Sequence, residues 1–169
     1  MDGTLAGIFL IASLADMGLN HCPTGCVAPA TAPARVGLQV AAVEFSRDII
    51  GKEIGLSYDL PRLYGPVQPT AAVTLTGEGR IWAGAGLRWR TSIGGTPAFI
   101  DASLMPGVDI GDNDPVLGGN LQFRSSLGVG WDFGPGQLVA AYDHRSNADT
   151  RAVNPGLETI SLRYSIVLD

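Results

Sequence analysis

From Arg35 onward, apolar and polar positions alternate in runs of strand length, and no helical periodicity of comparable strength appears. The pattern predicts eight strands, at about 35–46, 52–61, 67–77, 80–91, 97–108, 120–133, 136–147 and 157–168. Turn residues separate them at Asp48-Ile-Ile-Gly51, Leu63-Tyr-Gly-Pro66, Gly77-Glu-Gly79, Gly94-Gly95, Gly111-Asp-Asn-Asp114 and Gly134-Pro-Gly136. Because side chains alternate along a strand, each segment has two faces, and here the faces differ in kind. In the sixth, Leu121, Phe123, Leu127, Val129, Trp131 and Phe133 oppose Gln122, Arg124, Ser126, Gly128, Gly130 and Asp132. The fourth sets Ile81, Ala83, Ala85, Leu87 and Trp89 against Trp82, Gly84, Gly86, Arg88 and Arg90, and the second sets Ile54, Leu56, Tyr58 and Leu60 against Glu53, Gly55, Ser57 and Asp59.

Periodicity alone does not say which face is inside. A soluble lipid-binding barrel turns the apolar face inward, whereas a membrane barrel turns it to lipid and packs its lumen with paired charges and small residues. Most segments reach the about 9–11 residues that cross a bilayer at a tilt. Glycines on the charged face suit a narrow lumen, and Trp89, Trp131, Phe133 and Tyr164 near strand ends suit interfacial girdles. The expected fold is therefore an all-β, eight-stranded antiparallel up-and-down transmembrane β-barrel over residues 35–169. A soluble lipocalin-like lipid-binding barrel is the alternative. The ending Val167-Leu168-Asp169 departs from the aromatic finish common in outer-membrane barrels.

The first 34 residues read as a leader-like segment and linker. Leu5–Ala15 has the length of a signal-peptide apolar region but lacks a basic start, Asp2 being the only early charge. No apolar run of about 18 residues argues for a helical membrane span. Residues 20–34 read as irregular, with Cys22 and Cys26 able to close a small disulfide; a metal site is disfavoured because His21 is the only nearby ligand. Net charge of −5, with 11 scattered basic residues, excludes nucleic-acid binding, which needs clustered Lys and Arg.

Chemistry concentrates at the end of the chain. On the seventh strand Leu138, Ala140, Tyr142, His144 and Ser146 share a face, and on the eighth Glu158, Ile160, Leu162, Tyr164, Ile166 and Leu168 do. Residues two apart lie about 6.6–6.8 Å apart on one face, within reach of an imidazole leaning toward a hydroxyl. His144 can then activate Ser146, while Glu158, returned by the hairpin over 147–156, fixes the imidazole tautomer. Asn147 offers its side-chain amide or backbone N–H to a developing oxyanion. The competing reading is a polar strand end opening a loop; polar groups aimed at lipid are costly, which favours the site.

His144-x-Ser146-Asn147-Ala148, then Asn154-x-Gly156-x-Glu158, Ser161-Leu162 and Tyr164, closely resembles the motif of the lipid A 3-O-deacylases of the PagL family, eight-stranded outer-membrane barrels. Weaker similarity runs through Leu117-Gly-Gly-Asn-Leu-Gln-Phe123 and Leu127-Gly-Val-Gly130. The resemblance implies Ser146 as nucleophile, His144 as general base and Glu158 as its orienter. It places Asn147, Asp149 and Asn154 around the oxyanion and substrate. It implies lipid A of lipopolysaccharide as substrate, the outer membrane of a Gram-negative bacterium as location, and no cofactor or metal; a homodimer stays open. The family usually has Gly at Asp149, where a backbone N–H is an expected oxyanion donor, and losing such a donor typically costs about 10²–10³ in rate. A catalytically silent barrel of the same fold is therefore a further alternative.

Overall fold

The computed structural model describes residues 3–111 and 117–168. Asp2, Asp169 and the Asp112–Asp114 part of the fifth expected turn lie outside them. Eight long strands follow one another: β1 (Ala34–Phe45), β2 (Asp48–Asp59), β3 (Val67–Thr76), β4 (Ile81–Ser92), β5 (Ala98–Ile110), β6 (Leu121–Phe133), β7 (Gly136–Ser146) and β8 (Leu157–Leu168). Each pairs antiparallel with its sequence neighbour, and β8 pairs with β1 from Glu158↔Glu44 to Leu168↔Ala34, closing an up-and-down barrel. Closure leaves no unpaired strand edge within the barrel, which a spanning sheet requires in hydrocarbon.

The apolar face points outward. Leu38, Ile54, Val129 and Ile160 are 62%, 56%, 58% and 59% exposed, whereas Arg88, Asp101 and Arg124 are 2%, 0% and 3% exposed. This overturns the soluble lipocalin-like alternative, whose apolar face would have to fill the interior. The lumen is packed by two ion networks. Glu53 binds Arg124 at 2.9 Å and Arg145 at 2.6 Å, and Arg145 reaches Asp109 at 3.1 Å. Further along, Arg88 joins Asp59 at 3.0 Å and Asp101 at 2.9 Å, with Arg163 on Asp101 at 2.7 Å. The indole of Trp82 lies under the guanidiniums of Arg124 and Arg145, 5.6 and 5.4 Å from ring centroid. Glycine makes room for it, since a Cβ on Gly84 or Gly107 would press into that ring.

Two local expectations are corrected. Asp48–Gly51 is not a turn but the start of β2; the chain reverses at Ser46 and Arg47, both left-handed at φ 52° and 75°. Such a two-residue reversal matches strand twist, but without Gly or Asn it leaves no sequence signal, and a bulge between Val43 and Glu44 adjusts the register. Within the supposedly irregular 20–34, Pro29–Thr31 pairs with Arg62–Tyr64 as a small ribbon beside the Cys22–Cys26 disulfide, while the expected turn over 63–66 does reverse the chain at Gly65 and Pro66, Tyr64 pairing with Val67. Ahead of the barrel lies a helix, α1 (Thr4–Asp16). By length and composition the helical stretch Thr4–Thr24 is long and apolar enough to cross a membrane, as a signal sequence also is. Phe9 of α1 packs on the outward side chains Val67, Trp89 and Ala102, and Trp89 Nε1 donates to Asp16 Oδ2 at 2.7 Å, so Trp89 is covered rather than standing in a girdle. Trp131, Phe133 and Tyr164 remain exposed on the outer wall.

Candidate active site

His144 and Glu158 are direct cross-strand partners on β7 and β8. Their side chains meet on the outer wall, His144 Nδ1 to Glu158 Oε1 at 3.1 Å, both nearly buried. A carboxylate at Nδ1 selects the tautomer that carries the proton there, leaving Nε2 as the lone-pair nitrogen. That nitrogen is buried and has no hydrogen-bond partner. An orphaned buried acceptor is uncommon and calls for an explanation, one of which is a catalytic role. Ser146 lies one same-facing step along β7, half-buried at the strand's end, and its hydroxyl makes no hydrogen bond to Nε2. The structure therefore brings the histidine and glutamate together and sets the serine next to them unbonded. Catalytic hydrogen bonds are often long in an unliganded site.

The loop after Ser146 is built on Asn147. Its side-chain amide donates to Leu117 O at 3.1 Å and Val153 O at 2.7 Å, and its backbone N–H donates to Asn154 Oδ1 at 3.0 Å. Its carbonyl accepts from Thr150 N and Oγ1 at 3.1 and 2.8 Å. These donors are thus engaged within the loop in this structure. Asn154 turns its other end to Asp149, Nδ2 donating to Oδ1 at 2.9 Å. Ala148 and Asp149 are consecutively left-handed, at φ 51° and 58°. Their backbone N–H groups have no partner among the described residues. Beneath the loop, Val43, Leu117 and Leu157 form an apolar seat.

Two features escaped the sequence reading. Leu117 O anchors Asn147 from a separate loop; the only hint was the upstream similarity beginning at that residue. Glu44 of β1 stands directly across β8 from Glu158, a juxtaposition that only the β1–β8 closure reveals. Among the described residues, no three His, Cys, Asp or Glu side chains are grouped to hold a metal ion.

A closed barrel with a greasy exterior, an ion-filled interior and a histidine–carboxylate pair on its outer wall defines an outer-membrane barrel that carries a hydrogen-bonded His–Glu pair on its lipid-facing side. The chain belongs to the lipid A 3-O-deacylase (PagL) family, whose profile matches residues 51–167. Among solved structures it is similar to the outer membrane enzyme PagL, with 24% identity, TM-score 0.66, and coverage of 79% of this chain and 99% of that one. A de novo designed transmembrane β-barrel matches with TM-score 0.58 at 7% identity, covering 82% and 98%. Neisserial surface protein A matches with TM-score 0.55 at 13% identity, covering 83% and 99%. No curated protein sequence matches the chain. The protein is an outer-membrane barrel of Gram-negative type. The homodimer left open by the sequence finds no support in these similarities.

Proposed function

We propose that the protein hydrolyses the ester-linked acyl chain at the 3-position of lipid A through a Ser146–His144–Glu158 site. Ser146 Oγ attacks the ester carbonyl as its proton passes to His144 Nε2, and Glu158 holds the imidazolium through Nδ1–H. The tetrahedral intermediate collapses by expelling the sugar oxygen, which takes the proton from Nε2 and leaves an acyl-serine. Water, deprotonated by the same nitrogen, then releases the fatty acid. The unpartnered N–H groups of Ala148 and Asp149 are the donors we assign to the oxyanion, with Asn147 and Asn154 as the residues that hold their loop. The observation that carries this reading is the Glu158-bound imidazole with its other nitrogen open beside Ser146 on a lipid-facing wall.

Orientation supports it. With both ends of the barrel chain on the periplasmic side, the 147–156 loop between β7 and β8 is extracellular, at the level of outer-leaflet lipopolysaccharide. Mass spectrometry of lipid A from Gram-negative cells expressing the wild type is expected to reveal loss of one acyl chain. Cells with Ser146→Ala at equal outer-membrane abundance are expected to retain it. Equal lipid A in both would sink the proposal and favour the catalytically silent barrel.

A further inference from the structure

Next to the His144–Glu158 pair, toward the periplasm, the outer wall carries an open groove of about 790 Å³ lined by Val40, Ala42, Ile54, Ala140, Ile160 and Leu162. Register places Tyr142, Ile160, Ala42 and Lys52 in one row across β7, β8, β1 and β2, a single same-facing step from the row of His144, Glu158 and Glu44. The small side chains Ala42 and Ala140, set among larger ones, create the depression.

Lys52 stands at the groove's far side. It is the only lysine in the chain. Among the described residues it is also the only Lys or Arg side chain on the outward faces of the eight strands, because the strand arginines alternate into the lumen. Its side chain is exposed and its ammonium has no hydrogen-bond or ion-pair partner among the described residues. A charge on a lipid-facing wall is costly, and a lysine offsets that cost by extending its ammonium to the headgroup layer while its stem stays on apolar surface. From strand spacing, Lys52 lies three strands and one step from His144, about 15 Å along the wall.

We propose that Lys52 is a specificity-determining residue whose ammonium pairs with a phosphate on the sugar headgroup of the substrate lipid, while the lipid's acyl chains lie in the groove beneath the reacting ester. The assignment rests on the deacylase reading and adds what that site selects: an acylated sugar whose phosphate stands well away from the scissile ester. Tyr142 and Ile160 in the groove wall lie one same-facing step from His144 and Glu158, and with the lysine at the groove's edge this points to the substrate rather than a protein partner as occupant.

Binding tests it apart from turnover. Purified Ser146→Ala protein in detergent is titrated with lipid A and with the same lipid stripped of phosphate by a phosphatase, with and without Lys52→Met or Lys52→Arg. Lys52→Met is expected to weaken binding of the phosphorylated lipid about fivefold or more, as loss of a partly screened ion pair does, leaving the stripped lipid unchanged. Lys52→Arg is expected to retain the discrimination. Equal affinity of the parent protein for the two lipids, or an equal loss for both on Lys52→Met, would overturn the assignment. Fatty-acid release by the wild type is followed in parallel; its absence alongside phosphate discrimination would reject the deacylase reading while supporting Lys52.

Discussion

Asp149 occupies a left-handed backbone conformation, φ 58°, immediately past another at Ala148. Glycine enters that region freely, and Asp tolerates it better than most residues. The Asn154 amide on its carboxylate both steadies the conformation and draws the charge toward the loop. A carboxylate close to a developing oxyanion still opposes it, so Asp149→Gly is expected to raise kcat, by up to about tenfold, an effect of about 1.4 kcal/mol. Unchanged or lower kcat with lipid A would remove Asp149 from the oxyanion's surroundings. Glu158→Gln should keep a hydrogen-bond partner but favour the wrong tautomer, lowering kcat by a factor of about 10²–10⁴, as expected when the orienting acid of a triad is neutralised. A loss below tenfold would mean that Glu158 is structural. His144 and Glu158 were legible because cross-strand partners with matching alternation must meet. The bonds of the Asn147 amide were not legible because its partners are backbone carbonyls, and carbonyls leave no trace in a sequence.

The loop between β7 and β8 behaves as one element pinned at two asparagines. Asn147→Ala would leave Leu117 O and Val153 O without the amide that binds them. An unsatisfied buried acceptor costs about 1–3 kcal/mol, enough to release a surface loop without unfolding the barrel. Activity is therefore expected to fall at least about 10²-fold, the scale of losing an oxyanion donor, while the protein keeps the slow gel mobility of a folded barrel before heating. A variant with intact turnover would show that the loop does not depend on the pin. Most of the element layer was readable in advance: eight strands were expected and eight form the barrel, with ends displaced by a few residues. The exception is the β1–β2 turn, where Ser46-Arg47 reverses the chain without a turn-forming residue and Gly51 drew the reading away. The Pro29–Thr31 ribbon was illegible for a different reason. Three residues carry no periodicity, and its partner lay in what reads as a turn.

At the scale of the whole barrel, the proposed chemistry lies on the outer wall while the lumen holds the ion networks that join the strands. Glu53, Arg124, Asp143 and Arg145 come from β2, β6 and β7 and tie opposite walls together across the interior. Composition announced these charges on one face of each strand, but which arginine meets which acid depends on registry around a closed barrel, and no single hairpin fixes that. Removing one member leaves its partners buried and unpaired, at a typical cost of about 3–5 kcal/mol, whereas removing charges in matched pairs costs far less. Arg124→Met should accordingly lower the temperature at which the heat-modifiable gel band converts to its unfolded position, because Glu53 and Asp143 both lose a cation. Adding Glu53→Gln alone should make matters worse, since Glu53 also binds Arg145 at 2.6 Å. Asp143→Asn, whose carboxylate is paired with Arg124 and accepts from the Thr159 and Ser161 hydroxyls, should instead recover part of the loss. Turnover per folded molecule is expected to stay within about twofold throughout, because Arg124 and Asp143 face away from the outer-wall site and independent sites add. If Asp143→Asn deepened the defect of Arg124→Met, the lumen would be held by those hydroxyl bonds rather than by matched charge, and the division between a stabilising interior and a catalytic exterior would need a different physical basis.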